Sequence, residues 1–531
     1  MLLGVLPAAG LVSGVQIGEA SAQRPRPTAE PCAFADASCI PPDVSREFRG
    51  LWIATVANID WPSKPGLSTA AAKRELIGLL DRAKASGLNA VIFQVRPAAD
   101  ALYESKLEPW SEYLTGAQGV APSPRWDPLA FAVAESHRRG LELHAWFNPY
   151  RARHPSAKGS LARSHIANTN PRLVRRYGTH LWMDPGEYAV RERTIAVILD
   201  VVNRYDIDGV HIDDYFYPYR ERAADGSLLD FPDSVSFERY RVAGGPASRD
   251  DWRRENVNLL VQQLDERIHE AKPWVKFGIS PFGIWRPGYP WQIRGLDAYT
   301  ALYADARLWL REGWVDYFSP QLYWRLGTVP QSYRVLLGWW SRQNVFARHM
   351  WPGNFTSRVG EVSSTSWLTP EIEGQIEMTR AQPGASGNVH FSAKVFVENR
   401  DSIGTRLGRG LYAELALVPP SPWLDVARYD APRAELRAAS GGAHVLRVRG
   451  SGPLSSAAPD PAPASATTTR ANPPAPRWWL VQVRRADGSW TSELVSAARR
   501  DIPIAKSADR VAVRAIDRAG VESAATVLRI R

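Results

Sequence analysis

The stretch DGVHIDDYFYPY, residues 208–219, ends a short apolar run on two adjacent carboxylates, Asp213 and Asp214. Paired carboxyl groups suit general acid/base chemistry, in which one group donates a proton and the other stays ionised. Because successive strand residues face opposite sides, we expect Asp213 to face inward with His211 and Tyr215, and Asp214 to turn toward the next loop. Either aspartate taken singly could instead cap a helix or pair with an arginine.

Hydrolysis of a glycosidic bond is the reaction that this composition favours. It needs two carboxyl groups, and aromatic side chains provide platforms for the apolar faces of sugar rings. The 21 Trp and 18 Tyr of the chain can supply such platforms, since several lie at predicted strand ends. Two rivals stay open. One is a metal-dependent, deacetylase-like hydrolase with Asp213, Asp214, His211 and His144 as ligands, and the other is a non-catalytic carbohydrate-binding protein on a barrel scaffold.

Eight short apolar runs alternate with amphipathic, helix-like segments from Arg49 onward. The helix-like segment at residues 68–87 opens with a Ser/Thr cap and closes on Gly87. This alternation predicts an α/β fold, a (β/α)₈ TIM-type barrel, with a doubly wound open sheet as the competing fold. The predicted strands are 49–56, 89–97, 141–150, 208–216, 276–285, 315–324, 345–353 and 388–396.

In such a barrel the functional residues lie at the carboxyl ends of the strands. Polar and aromatic residues recur at that end of several predicted strands, and we expect them to converge on one pocket. The candidates from strand ends are Arg96, His144, Trp146, Asn148, Tyr150, Asp213, Asp214, Trp285, Gln321, Tyr323, Trp324 and Trp351, with His211, Tyr215 and Tyr217 around the aspartates.

The charge balance argues against a nucleic-acid partner. The net charge of +10 comes from 65 basic and 55 acidic residues, and no block of consecutive Lys or Arg concentrates it. We also expect no cofactor and no resident metal ion, because phosphate-binding glycine loops and a compact His-x-His pair are both lacking.

The N-terminal residues predict export. Residues 1–22 are apolar and end in small residues, as in a secretory signal, and residues 23–48 read as a linker. Cys32 and Cys39 are the only cysteines, and in an exported chain they would pair as a small disulfide loop. No run reaches the roughly 20 apolar residues of a membrane span, so we expect a periplasmic or secreted protein.

The barrel is predicted over residues 49–422 and a smaller domain over 423–531. The second region consists of short alternating segments broken by turn residues, which indicates a small β-sandwich. Residues 451–476 are rich in Pro, Ala, Ser and Thr, and we expect them to form a disordered insertion. The sandwich looks similar to a fibronectin type III module, and cell-division or envelope proteins are its expected partners.

Six motifs of the barrel closely resemble the glycosyl hydrolase-like family ten of bacterial envelope proteins, from about Arg49 to Pro419. The motifs are REFRGLWIATVANIDWPS, FQVRPAADALYESKLEPWSEYLTG, HAWFNPYRAR, YDIDGVHIDDYFYP, FGISPFGIWR and DYFSPQLYW. The resemblance implies a glycoside hydrolase of bacterial wall polysaccharide, above all of peptidoglycan glycan strands without stem peptides, with Asp213 and Asp214 in the catalytic motif. It also makes pocket residues of Arg96, Asp100, Tyr103, His144, Asn148, Tyr150, Arg151, Gln321 and Tyr323.

The fourth strand also looks similar to that of chitinase-type barrels, D-G-x-D-x-D-x-E. Asp208 and Asp213 match this pattern, whereas His211 replaces one Asp and Tyr215 stands where the acidic Glu should be. The likeness implies a route assisted by the substrate's N-acetyl group, which Asp213 would orient.

The general acid of that route is left open by the sequence. Asp214, Asp100 and Glu104 are the candidates, and spacing alone does not choose among them. Retention, inversion and a lytic transglycosylase outcome also stay open, because they depend on the separation of the carboxyl groups and on what attacks the intermediate.

Overall fold

The computed structural model describes residues 29–31, 39–424, 426–439, 443–452 and 475–530. Its largest unit is a parallel sheet whose eight strands overlap the eight predicted runs. Strands β1 to β8 are Phe48–Ile53, Ala90–Arg96, Glu142–Phe147, Gly209–Ile212, Lys276–Ile279, Tyr317–Phe318, the two segments His349–Met350 and Gly353–Asn354, and Gly387–His390.

The seventh strand closes this sheet into a barrel. On one side the Trp351 N–H donates to the Phe318 carbonyl (2.9 Å), and on the other the Val389 N–H donates to the Pro352 carbonyl (3.0 Å). Strand β8 then pairs in parallel with β1. A sheet whose last strand pairs with its first has no edge, so the predicted (β/α)₈ barrel is confirmed and the open doubly wound sheet is wrong.

A helix follows each strand, as the alternation predicts. Helix α1 begins after Ser68, whose side chain accepts the Ala71 N–H (3.3 Å), and the chain turns at Gly87, where φ is +78°. Helices α1 to α8 are Thr69–Ala85, Pro128–Arg138, Tyr188–Arg204, Arg249–Ala271, Ala306–Glu312, Tyr333–Gln343, Thr369–Arg380 and Ile403–Arg409. Short helices lie at Glu112–Thr115, Ile166–Thr169, Ser234–Val242, Ala298–Ala301 and Ala393–Val397.

Aromatic rings fill the barrel interior. The rings of Phe48 and Trp351 are stacked with centroids 3.8 Å apart, and the Tyr317 ring lies 4.8 Å from Trp351. Trp52 and Trp146 belong to the same interior cluster. Side chains this large leave the interior packed rather than hollow, which confines a substrate to the mouth of the barrel.

The C-terminal region forms the predicted β-sandwich. Its three-stranded sheet has the order β9, β10, β13, and its larger sheet contains β15, β14, β11, β12. Strands β9 to β15 are Arg433–Ala438, His444–Gly450, Trp478–Arg485, Trp490–Ser496, Asp501–Ile504, Ala508–Ile516 and Thr526–Ile530. The predicted insertion at 451–476 lies largely outside the described residues.

Part of the predicted linker, residues 23–48, is β structure. Ala29–Pro31 pairs antiparallel with β15, and Ser45–Arg46 pairs in parallel with Ala416–Leu417. Sheet edges carry unpaired N–H and C=O groups, which explains why a segment without a clear strand pattern joins them. The signal-like residues 1–22 and Cys32 lie outside the described residues, and Cys39 is disulfide-bonded.

The sandwich contacts the amino-terminal end of the barrel. The Arg477 guanidinium lies 2.6 Å from Asp206 and 2.7 Å from Asp208, two carboxylates that immediately precede β4. Arg477 and His137 hold the pKa of the buried Asp208 below its usual range, although burial alone would raise it. The carboxyl ends of the strands therefore face away from this contact.

No helix within the described ranges has the length and apolar character needed to cross a membrane.

A buried ion pair at the amino-terminal end of the barrel gives a stability prediction. Lys276 Nζ lies 3.0 and 3.1 Å from the two carboxylate oxygens of Glu142, and the lysine side chain is fully buried. Lys276→Met leaves a buried carboxylate without its cation and should lower the free energy of unfolding by about 3–5 kcal/mol in urea denaturation at neutral pH. In Lys276→Met/Glu142→Gln no charge remains, so part of this loss should return. A double variant no more stable than the single one would contradict this explanation.

Candidate active site

A cavity of about 260 Å³ opens at the carboxyl ends of the barrel strands. Among the predicted site residues, it is lined by Trp146, Arg151, Asp213, Asp214, Tyr215, Gln321 and Tyr323. The other lining residues are Trp52, Ala54, Val56, Ile59, His154, Tyr219, Ser280, Phe355 and Phe391. Trp52 and Trp146 lie within β1 and β3, and the others come from the loops after β1, β3, β4, β5, β6, β7 and β8. This cavity is therefore the candidate active site expected for a barrel of this kind.

Asp213 and Asp214 both line the cavity, so the expectation that Asp214 turns away is wrong. Strand β4 ends at Ile212, and the backbone then turns, with the Phe216 N–H donating to the Asp214 carbonyl (3.0 Å). Strand alternation therefore stops before the pair. The two residues are only 5% and 4% exposed, which places two carboxyl groups side by side in a site with little water.

Asp213 is surrounded by hydrogen-bond donors. The amide nitrogen of Asn148 lies 2.8 and 2.7 Å from the two Asp213 carboxylate oxygens. The Asn148 carbonyl oxygen accepts from Gln94 Nε2 and from an Arg151 Nη atom, both at 2.6 Å. Because these two partners can only donate there, the amide orientation of Asn148 is fixed and its N–H groups face Asp213. Such donors favour the ionised form of the carboxyl group.

Gln94 is fixed in the same way by the backbone. Its carbonyl oxygen accepts the N–H groups of Thr55 and Val56, both at 2.8 Å, which leaves its amide nitrogen for Asn148. Gln94 is fully buried and does not line the cavity. The loop after β1 is thus linked to Asp213 by a chain, Gln94 then Asn148, in which every donor points toward the carboxylate.

Asp214 has a different set of partners. It accepts a short hydrogen bond from the hydroxyl of Tyr219, and the Gln321 side chain also bonds to it. A hydroxyl can accept as well as donate, so a protonated Asp214 can donate to Tyr219 without losing the contact. The environment of Asp214 therefore tolerates a proton, whereas that of Asp213 opposes one.

The two carboxyl groups titrate as a coupled pair. Burial and the neighbouring charge of Asp214 raise the pKa of Asp213 to about 7, against the opposing effects of Arg151 and Asn148. Burial also raises the pKa of Asp214. Near neutral pH the pair therefore holds one proton, which belongs to both groups. The Asn148 N–H groups oppose a proton on Asp213, whereas the Tyr219 hydroxyl can accept one from Asp214, so these contacts favour the form of the pair in which Asp214 carries the shared proton.

A second hydrogen-bond chain runs below the cavity, along the barrel axis. The Trp52 indole N–H lies 3.3 Å from His211 Nε2, and the Tyr317 hydroxyl lies 3.0 Å from His211 Nδ1 and 2.9 Å from His144 Nδ1. The remaining nitrogen of His144 lies 3.1 Å from a Glu142 oxygen. Because an indole N–H can only donate, His211 is neutral and donates onward from Nδ1. Burial accordingly lowers the pKa of His211 well below its usual value.

This chain gives no support to the metal-dependent alternative. Both ring nitrogens of His144 and of His211 are engaged inside the barrel, so neither offers a lone pair to an ion beside Asp213 and Asp214. Within the ranges that the structure describes, no three His, Cys, Asp or Glu side chains come together as metal ligands.

Aromatic side chains form the walls of the cavity. The rings of Tyr323 and Phe355 are stacked at 4.8 Å, and Phe391 lies 6.2 Å from Trp52. Such faces can contact the C–H surface of a sugar ring, while the carboxylates and the cation of Arg151 contact its polar substituents. This combination suits a carbohydrate.

Several predicted pocket residues do not line the cavity, and their placement there is corrected. Asn148 contacts Asp213 from behind, as described above. The remaining residues are His144 and His211 in the axial chain, together with Arg96, Asp100, Tyr103, Tyr150, Tyr217, Trp285, Trp324 and Trp351. They stand next to strand ends in the sequence, but their side chains are directed into packing instead of into the cavity.

The aromatic members of this group illustrate the reason. Trp351 is stacked on Phe48 inside the barrel, and Trp285 packs against Trp339 with ring centroids 5.9 Å apart. Trp324 contacts Phe282, Tyr103 contacts Tyr205, Tyr150 is fully buried, and Tyr217 borders a separate cavity.

The charged members of this group have structural partners. Arg96 forms a fully buried ion pair with Glu108 at 2.9 Å. Asp100 is buried and accepts the Ala98 N–H (3.0 Å), and Glu104 pairs with a surface arginine. Of the three candidates for the general acid, Asp214 lines this cavity and Asp100 and Glu104 do not.

The sequence analysis missed several residues of the cavity. Tyr219 follows Asp214 by five positions in the opening motif, and Phe391 directly follows β8, so both were within reach of the strand-end argument. Trp52 lies inside β1 instead of at its end, so its contact with the cavity depends on how far the cavity reaches into the barrel. His154 contributes a neutral imidazole, because burial and the nearby Arg151 lower its pKa to about 4.

A closed (β/α)₈ barrel with a buried carboxyl pair between aromatic walls defines a barrel-type glycoside hydrolase. The chain belongs to the glycosyl hydrolase-like 10 family, whose model matches residues 47–368. It is 45% identical to Glycosyl hydrolase YngK of Bacillus subtilis, covering 72% of this chain and 74% of that protein. It is 35% identical to Glycosyl hydrolase DigH of Escherichia coli K12, covering 65% of this chain and 83% of that protein.

Solved structures that resemble the chain include two glycosidase domains. One is the PgaB (BpsB) glycoside hydrolase domain of Bordetella bronchiseptica, with 14% identity and a TM-score of 0.46, covering 68% of this chain and 98% of that one. The other is the catalytic domain of β-amylase from Paenibacillus polymyxa, with 13% identity and a TM-score of 0.46, covering 70% and 99%.

The Gln94 chain predicts a pH effect from a residue outside the cavity. In Gln94→Glu a negatively charged acceptor replaces the donor that faces the Asn148 carbonyl, so the Asn148 amide loses one of the two donors that orient it toward Asp213 and a negative charge is added close to that carboxyl group. The pKa of Asp213 then rises, and the acidic limb of the kcat/KM profile on a glycan substrate should move up by about one pH unit, the value of one hydrogen bond.

Gln375→Glu is the matched control for this variant. Gln375 is likewise fully buried outside the cavity and bonded to an asparagine, since it accepts from Asn354 at 2.8 Å, but Asn354 bonds onward to Tyr333 and Asn388 instead of to Asp213. This variant can lose stability and should keep the wild-type pH profile. An unshifted acidic limb in folded Gln94→Glu would contradict the role of the chain.

Proposed function

We propose that this glycoside hydrolase cleaves peptidoglycan glycan strands that lack stem peptides, with Asp214 as the general acid and Asp213 as its ionised partner. The observation that carries the proposal is the asymmetry of the buried pair: the fixed amide nitrogen of Asn148 contacts both carboxylate oxygens of Asp213, whereas Asp214 bonds to a hydroxyl that can donate or accept. One carboxyl group is kept charged and the other can carry a proton, as acid-catalysed cleavage of a glycosidic bond requires.

The first step protonates the leaving group. Asp214 transfers its proton to the glycosidic oxygen while the bond from that oxygen to the anomeric carbon breaks. Positive charge develops at the anomeric carbon in an oxocarbenium-like transition state, and the ionised Asp213 stabilises it electrostatically. Tyr219 and Gln321 hold the Asp214 carboxyl group while it changes charge.

The substrate's own N-acetyl group suits this geometry as the nucleophile. Two carboxyl groups on successive residues of one strand end reach the same side of a sugar more readily than opposite sides. The acetamido carbonyl oxygen bonds to the anomeric carbon, and Asp213 accepts a hydrogen bond from the amide N–H. Water then attacks the anomeric carbon while the bond from that carbon to the acetamido oxygen breaks, which restores the N-acetyl group. The water gives its proton to the Asp214 carboxylate, so the acid is restored and the configuration is retained.

The proposed place of action is the periplasm or the cell exterior. The support is chemical, since Cys39 is disulfide-bonded and disulfides persist in oxidising compartments. In this setting the C-terminal sandwich would contact cell-division or envelope proteins.

Digestion of purified denuded glycan strands tests this function directly. The wild type should release reducing-end fragments detectable by mass spectrometry, and Asp213→Asn and Asp214→Asn should each lose about 10²- to 10⁴-fold in rate. Asp100→Asn alters another buried carboxyl group, outside the cavity, and should keep the wild-type rate. Strands that the wild type binds without cleaving would instead favour a carbohydrate-binding protein.

An aryl glycoside with a good leaving group separates the two roles. Its departing phenolate needs no proton, so Asp214→Asn should retain most of the wild-type kcat/KM on this substrate, although kcat falls because the later attack of water loses its base, while Asp213→Asn should stay inactive. Equal losses in both variants on the aryl glycoside would contradict the assignment of Asp214 as the acid.

The coupled pair also predicts a pH-dependent gain in stability. The pKa of each aspartate is raised in the folded state, so the wild type loses stability as the pH rises and the shared proton leaves. Asp214→Asn removes this repulsion, and its free energy of unfolding should exceed that of the wild type by about 1–2 kcal/mol at pH 8.5 and by clearly less at pH 5. Denaturant unfolding at the two pH values measures the difference. A gain that is the same at both would contradict the shared proton.

A further inference from the structure

One tryptophan of this chain stands apart from all the others. All 21 tryptophans lie in the described residues, and among them only Trp291 is largely exposed, at 79% of its surface. The rest are buried or half-buried in the barrel and the sandwich. A large apolar ring in water forgoes the hydrophobic stabilisation that burial gives, so the loop that carries Trp291 is a candidate for contact with a ligand.

Trp291 is presented by a loop with fixed geometry. The Gly288 N–H donates to the Ile293 carbonyl, and the Ile293 N–H donates to the Pro290 carbonyl, both at 2.9 Å. The Arg294 guanidinium donates to the carbonyl of Trp291 itself at 2.6 Å. The exposed indole is therefore carried by a loop that three hydrogen bonds between its own residues hold in place.

A second exposed aromatic residue, Tyr289, lies two positions before Trp291 in the same loop. Tyr289 is 50% exposed, and its ring packs edge-on against Trp285 with centroids 5.2 Å apart. Trp285 in turn is stacked on Trp339, which anchors the loop to helix α6. The tip of the loop thus exposes two large rings to solvent, and the stacked rings of Trp285 and Trp339 support it.

The loop belongs to the same end of the barrel as the active site. It follows β5 and begins at Ser280, which lines the catalytic cavity. The Arg294 N–H donates to the Pro330 carbonyl (2.9 Å), and Gln331 Nε2 donates to the Arg294 carbonyl (2.7 Å). Residues 330 and 331 lie in the loop after β6, whose first part supplies Gln321 to the cavity. Both loops that hold Trp291 therefore also build the active site.

We propose that Trp291, with Tyr289 of the same loop, is a distal subsite that stacks on a sugar ring of the glycan strand beyond the catalytic cavity. The inference rests on the proposed function and extends it: a cavity of about 260 Å³ holds only a short part of a polymer, so the rest must cross the outer face of the barrel. A rigid indole offers a flat apolar face for a pyranose ring at low entropic cost.

Trp291→Ala tests the subsite by chain length. On long denuded glycan strands kcat/KM should fall about tenfold, mainly through KM, whereas on a fragment short enough to occupy only the cavity it should change less than twofold. Trp291→Tyr keeps a stacking face and should restore most of the rate on long strands. The matched control is Phe346→Ala, which removes a 55% exposed aromatic ring from the loop before β7, at the opposite end of the barrel, and should leave both substrates unaffected.

Co-sedimentation with insoluble denuded glycan separates failure of the subsite from failure of the proposed function. The fraction of Trp291→Ala bound should be several-fold lower than that of the wild type and of Phe346→Ala, whether or not the strands are cleaved. Equal losses on long and short substrates, or glycan binding that Trp291→Ala leaves unchanged, would overturn the subsite. A wild type that binds without cleaving would overturn the proposed function alone, and one that neither binds nor cleaves would overturn both.

Discussion

Two carboxyl groups placed side by side where little water reaches them are the constraint around which the rest of this barrel is organised. Each carboxylate is costly to bury, and their proximity adds repulsion, so the surrounding groups must decide how much charge the pair carries. The two aspartates have different partners. Asn148 donates to Asp213, Gln94 donates to the Asn148 carbonyl and so fixes that amide, and the backbone after β1 fixes Gln94. Asp214 instead bonds to the hydroxyl of Tyr219, which can donate or accept. The direction of each bond follows from what the side chains are able to donate.

Hydrogen-bond donors and acceptors are also paired along the barrel axis. A chain from Trp52 through His211 and Tyr317 to His144 ends on Glu142, whose charge Lys276 balances at the amino-terminal end. Polar groups inside a packed barrel are tolerated only when each has a partner, and here each bond also fixes the direction of the next. Two histidines that stand near the aspartates in the sequence therefore belong to the scaffold, and the chemistry is left to the carboxyl groups and the side chains above them.

The barrel could be predicted from the sequence because alternating apolar runs and amphipathic segments mark its strands and helices directly. The site could be predicted only in part. Asp213, Tyr215 and Gln321 follow strand ends and do line the cavity. Trp351 satisfies the same rule and is stacked on Phe48, because the direction of a side chain depends on where each strand ends within the barrel. The sequence does not indicate the role of Gln94, since a buried amide inside a strand resembles any other core position until its partners are known.

The pairing of Ala29–Pro31 with β15 has a consequence for the C-terminal sandwich. This short segment covers the outer edge of the last strand, whose N–H and C=O groups would otherwise be free to pair with another chain. The two ends of the described chain thus protect each other, although almost the whole sequence separates them. A chain shortened past Pro31 keeps its entire barrel and cavity but exposes the edge of β15. Such a chain would therefore self-associate before its catalytic geometry is lost.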